Sequence, residues 1–76
     1  MEFEKLREII SQDLYVDPKM IREETRFVED LGADSLSLFQ LVLRMEEEFD
    51  IEIDAERLES IVTVKDAVNV IRTEVG

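Results

Sequence analysis

A chain of 76 residues with two glycines, one proline and no cysteine has room for one core, stabilised by packing because no disulfide can form. Its 45% hydrophobic and 38% charged residues make an amphipathic composition that excludes disorder, and no apolar run nears the roughly 20 residues of a membrane span. Nine basic against twenty acidic residues, a net charge of −11, exclude a nucleic-acid binder, which must meet phosphates with Lys and Arg, and favour basic protein partners.

The elements follow from the apolar spacing. Phe3, Leu6, Ile9, Ile10 and Leu14 fall near the i, i+3, i+7 spacing of one face, which predicts a first helix over residues 2 to about 13. The acidic start Met1-Glu2-Phe3-Glu4-Lys5 is unlike a secretory leader and zero cysteines fit a reducing compartment, so the expected location is the cytoplasm. Asp17-Pro18 is a cap followed by an N1 proline and predicts a turn over 18 to 22. The stretch from Asp13 to Asp34 is otherwise a long first loop, which must be pinned to the core; Ile21, Phe27, Val28 and Leu31 are its candidate anchors. Gly32 supplies backbone freedom for a sharp approach to the next helix.

That second helix runs from about 35 to 49, with Leu38, Leu41, Val42, Met45 and Phe49 on one stripe and Leu36, Phe39 and Leu43 on another. It is apolar over more than half its girth, wider than one core contact requires. Either it touches neighbours on two sides or it leaves an apolar patch open to partners. Asp54 caps a short helix over 55 to 60, with Leu58 and Ile61 facing inward. The last helix opens at Thr63, whose spacing to Asp66 resembles a capping box, buries Val64, Ala67, Val68, Ile71 and Val75, and ends at Gly76. The expected fold is all-α: a small four-helix bundle, three longer helices plus one short helix, in a single domain over residues 1–76.

The run that carries chemistry is Leu31-Gly32-Ala33-Asp34-Ser35-Leu36, which sets a serine hydroxyl at the start of the apolar second helix. The first N–H groups of a helix lack intrahelical partners and carry partial positive charge, so a phosphate esterified to Ser35 is well placed. A serine in such a position is most often only an N-cap, but Asp34 is the better cap and frees Ser35 from that duty. There is no histidine, no Gly-x-Ser-x-Gly setting and no lysine close in sequence to activate it. Ser35 therefore reads as a residue that is modified rather than one that catalyses.

Residues 34 to 60 hold nine acids and two bases, and the run Glu46-Glu47-Glu48-Phe49-Asp50 is either a solvated helix face or a surface for a basic partner. Asp50, Glu52 and Asp54 open like a calcium loop, but Ala55 and Ile61 stand where that loop requires glycine and glutamate, so no metal is expected. Phe27, Phe39 and Phe49 read as core.

Taken together, Phe27-Val28-Glu29-Asp30, the run from Leu31 to Leu36, Glu46-Glu47-Glu48-Phe49-Asp50-Ile51-Glu52-Ile53 and Thr63-Val64-Lys65-Asp66-Ala67 resemble the free-standing bacterial acyl carrier proteins, without a gap from Phe27 to Ile71. The resemblance implies that Ser35 carries 4′-phosphopantetheine through a phosphodiester, and that the arm's thiol holds acyl groups as thioesters for fatty-acid, polyketide or related biosynthetic enzymes. A chain with no thiol of its own agrees with this, since the thioester chemistry then belongs to the cofactor. It also implies a non-catalytic monomer, loaded by a phosphopantetheinyl transferase and visited by acyl-transfer and synthase enzymes with basic patches. Asp34, Leu36, Glu46 and Glu47 fit the family's docking role, with Phe39 and Leu43 as apolar contacts beside them. Leu41, Val42, Met45, Ile53, Leu58, Ile61 and Ala67 are the candidate wall of an acyl pocket and equally ordinary core residues.

In the family an acid usually stands two residues after the serine and another five after it, where this chain has Ser37 and Gln40. Arg44 adds a positive charge where a small neutral residue is common. These departures predict weaker docking to a general fatty-acid enzyme. The competing reading is a small acidic helical adaptor that binds a basic partner with Ser35 unmodified.

Overall fold

A computed structural model describes residues 2–75, the side chain of Val75 excepted. Helix α1 spans Glu2–Leu14, a 3-10 turn Pro18–Met20, α2 Ser35–Phe49, α3 Ala55–Ser60 and α4 Val64–Val75. The predicted helices are all found, α1 running one residue further. The turn after Asp17 ends at Met20 rather than 22, because the backbone at Ile21 is already extended and carries that side chain into the core. The expected burial of Val75 and the stop at Gly76 lie outside the described residues.

Helix α1 is the shared partner, packing against α2, α4 and the 3-10 turn. Its Leu6, Ile9 and Ile10 meet Leu41 and Met45 of α2 and Val64, Ala67, Val68 and Ile71 of α4 in one cluster, completed from the connections by Ile21, Phe27, Ala33 and Ile61. Each of these side chains is at most 4% exposed. Burial of a large apolar side chain contributes about 1.5–3 kcal/mol, so the stripes read from the periodicity are the main source of stability. Helix α3 has no buried residue, and Leu58 is half-buried. The Asp54 carboxylate caps α3 by accepting from the Arg57 N–H at 2.9 Å, and Arg57 is ion-paired with Glu74 of α4.

The first loop is pinned by side chains and by backbone. Ile21 and Phe27 are buried and Leu31 packs on the cluster. The Phe27 N–H donates to the Val62 carbonyl at 3.0 Å, Val64 N–H to Thr25 at 2.9 Å and Lys65 N–H to Glu23 at 2.8 Å, around an isolated antiparallel bridge between Arg26 and Thr63. Thr25, the buried polar residue of this segment, accepts the Arg22 N–H on its Oγ1 at 2.8 Å. Val28 corrects the expectation of an anchor, being 61% exposed. The Asp30 and Leu31 N–H groups both reach the Arg26 carbonyl, and in so tight a turn neighbouring side chains diverge, so Phe27 inside leaves Val28 outside.

Candidate functional site at the start of α2

The approach to α2 is built by the loop. Gly32 has φ +69, a left-handed value that favours glycine, although a Cβ there would meet no atom within 4 Å. Next, the Ala33 N–H donates to the Phe27 carbonyl at 2.9 Å and the Ala33 side chain is buried, which fixes the backbone just ahead of the helix. Asp34 is the N-cap: its Oδ1 accepts from the Ser37 N–H at 2.8 Å. That backbone bond, aided by the Ser37 hydroxyl, holds the Asp34 carboxyl below the ordinary aspartate range. Ser35 is left as the first helical residue, exposed and without capping duty.

Along α2 the two apolar stripes separate. Leu41, Val42 and Met45 are buried, with Leu38 and Phe49 half-buried beside them. Leu36, Phe39 and Leu43 are 64%, 50% and 46% exposed, so the excess apolar girth is an open patch rather than a second internal contact. Phe39 thereby corrects the expectation that it is core, while Phe27 is buried and Phe49 packs on the cluster. Glu47 is exposed on the same helix, but Glu46 is half-buried and its Oε2 accepts from the Ile53 N–H at 2.8 Å, tying down the chain after α2.

Arg44 does not present a free charge to a partner. It crosses to α1, where its Nη1 meets Asp13 at 2.6 Å and its Nη2 the Gln12 amide oxygen at 3.0 Å, with Glu48 at 3.6 Å from its Nε. Its charge is matched within the fold.

The description "phosphopantetheine attachment site" belongs to a family model that matches residues 4–71. An acyl carrier protein of Wolinella succinogenes is 48% identical over 71 residues, covering 93% of each chain. The chain belongs to the acyl carrier protein family. Acyl carrier proteins of a Sulfurovum species, 46% identical over 91% of this chain and 92% of that one, and of Clostridium acetobutylicum, 46% identical over 95% and 94%, are similar to it as well. A solved structure of a Mycobacterium tuberculosis protein assigned as an acyl carrier protein superposes with a TM-score of 0.90 at 36% identity, covering 96% of this chain and 97% of the other. The chain is an acyl carrier, not a catalyst, and its prosthetic group is 4′-phosphopantetheine. The start of α2 fits that group, since an exposed hydroxyl at the positive end of a 15-residue helix suits a singly charged phosphodiester.

In this acyl carrier protein the candidate pocket wall is mostly closed packing. Leu41, Val42, Met45, Ile61 and Ala67 are buried, whereas Ile53 and Leu58 are half-buried. Ile53 lines an open cleft of about 480 Å³ whose other walls are Glu46, Glu52, Asp54, Arg57 and Glu74, a charged lining unsuited to an acyl chain. Among the described residues no helix is long and apolar enough to cross a membrane, and no group of three or more His, Cys, Asp or Glu side chains could hold a metal ion.

Sequence reasoning passed over Tyr15. It follows the last residue of α1 with φ +56 and a side chain 94% exposed. The available signal was the place itself: a bulky aromatic directly after a helix, where glycine or asparagine normally stops it.

Proposed function

We propose that Ser35 is the attachment residue and that the exposed face of α2 is where successive enzymes dock. One observation carries the reading: Asp34 caps the helix, which leaves the exposed Ser35 hydroxyl free at its first residue. A phosphopantetheinyl transferase removes the proton from Ser35 Oγ, which bonds to the phosphorus of coenzyme A as adenosine 3′,5′-bisphosphate leaves. The attached arm supplies the thiol that holds acyl groups as thioesters. Leu36, Phe39 and Leu43 offer apolar anchors, and Asp34, Glu46 and Glu47 meet basic side chains on fatty-acid, polyketide or related enzymes. An acyl group held by the bundle parts the seam lined by Leu41, Val42, Met45, Ile53, Leu58, Ile61 and Ala67. The protein acts as a monomeric single domain in the cytoplasm. Its family membership does not favour the adaptor reading with Ser35 unmodified.

Intact mass after incubation with coenzyme A and a transferase tests the assignment. The chain should gain one phosphopantetheine group and Ser35→Ala none; a gain at Ser37, or no gain with several transferases, overturns it.

A further inference from the structure

We infer that the cleft between the end of α1 and the start of α2, rimmed by Tyr15, receives an arginine side chain of the phosphopantetheinyl transferase. The inference rests on the reading that Ser35 is loaded. The described chain takes left-handed backbone at Gly32, Asp50 and Tyr15. Glycine does so without strain and aspartate with little, but a tyrosine there is an outlier. At Tyr15 the conformation closes α1, with the Val16 N–H returning to the Ser11 carbonyl at 3.2 Å, a role that glycine fills better. The ring gives the core nothing in exchange, because it stands in solvent.

Beside it lies a cleft of about 260 Å³ whose walls are Gln12, Asp13, Leu14, Ser37 and Gln40. Ser37 is two residues beyond Ser35, so the cleft opens within the first turn of α2. One edge of it is already closed by a guanidinium, since Asp13 and Gln12 hold Arg44 at 2.6 and 3.0 Å, which leaves the other edge to an incoming side chain. On the other edge the Tyr15 ring and the exposed Gln40 amide offer a π face and an acceptor. A guanidinium over a tyrosine ring with an amide oxygen at its rim is a favourable pairing.

The transferase is the partner that geometry selects. It must bring its reacting phosphorus onto Ser35 itself, so its footprint covers the first turn of α2 and whatever adjoins it. Enzymes that act at the far end of the arm also grip the exposed face of α2, but they need not close on Ser35. A net charge of −11 on the carrier favours a cationic surface on that enzyme.

Loading kinetics of Tyr15 variants, measured with the transferase that loads the native chain, test the inference. Tyr15→Gly should raise the KM for the carrier about three- to tenfold, with kcat unchanged. Its Tm should equal or exceed that of the native chain, which separates lost docking from lost folding. Tyr15→Phe keeps the π face and should stay near the native KM, while Tyr15→Leu keeps apolar bulk without it and should behave like Tyr15→Gly. A native KM in Tyr15→Gly, or a Leu variant as good as the native chain, overturns the inference and leaves Ser35 as the loading site. A native chain that gains no mass overturns the carrier reading and this inference with it.

Discussion

Leu41, Val42 and Met45 are buried to within 4% exposure, while Leu36, Phe39 and Leu43, on the same helix and of much the same chemistry, are about half exposed or more. Helix α1 packs on α2 from one side and accounts for the first set. The second set faces away from the core. An over-wide apolar helix therefore announces two partners without saying that both belong to the same chain, and a carrier that many enzymes must grip has reason to leave one of them outside.

The largest effect should come from removing a member of each stripe. Met45→Ala is expected to destabilise the fold by about 2–5 kcal/mol in urea unfolding, a large share of the roughly 5–15 kcal/mol a small domain has. Leu36→Ala should change stability by no more than about 0.5 kcal/mol yet slow loading or transfer. If Leu36→Ala unfolds the chain as Met45→Ala does, the exposed stripe is core and the distinction fails.

Acid should separate the stripes in a set order. The Asp66 carboxylate accepts from the Thr63 and Val62 N–H groups at 3.0 and 3.1 Å, and chiefly the Thr63 bond holds its carboxyl below the ordinary aspartate value of 3.8. The folded chain releases that proton more readily than the unfolded chain, so the stabilisation is complete above the unfolded value and is lost as pH falls below it. Net charge vanishes earlier, near the pI of 4.2. Light scattering should thus report association through Leu36, Phe39 and Leu43 near that pH, while the far-ultraviolet helix signal persists until more acidic pH. Asp66→Asn should cost about 1 kcal/mol at neutral pH and flatten the acid limb of the unfolding curve. Helix loss at or above the pH of association would reverse the order and contradict the assignment.

The smallest effect concerns charge beside the exposed stripe. Ser37→Asp with Gln40→Glu should tighten docking to a basic enzyme by about 0.2–1 kcal/mol per added pair, a gain that shrinks as NaCl is raised. Lower KM at low salt, converging with the native value at high salt, is the expected pattern. Equal KM values at both salts would leave docking to the apolar side chains alone.

What was legible in the sequence was local. The cap at Asp34, the reciprocal bonds between Thr63 and Asp66, the left-handed Gly32 and the limits of α2 depend on residues within a few positions of one another. Ser35 was legible for the same reason, since its freedom follows from the residue just before it. Val28 was misplaced, and Phe39 stood between core and open patch, because apolar character says that a side chain can be buried, not which neighbour covers it. Arg44 looked like a stray charge because Asp13 and Gln12, which hold it, lie 31 and 32 residues away. Tyr15 is not legible in the sequence, because its interest lies in a backbone angle that the periodicity of α1 does not encode.

The bonds that tie residues 23 to 27 to residues 62 to 65 also make the start of α2 depend on a segment about thirty residues later in the chain. The Phe27 carbonyl orients Ala33, and Phe27 is itself held by Val62, so the approach to Ser35 is complete only when that later segment is in place. On the proposal that Ser35 is the attachment residue, an enzyme that reads this shape meets it only in the folded chain.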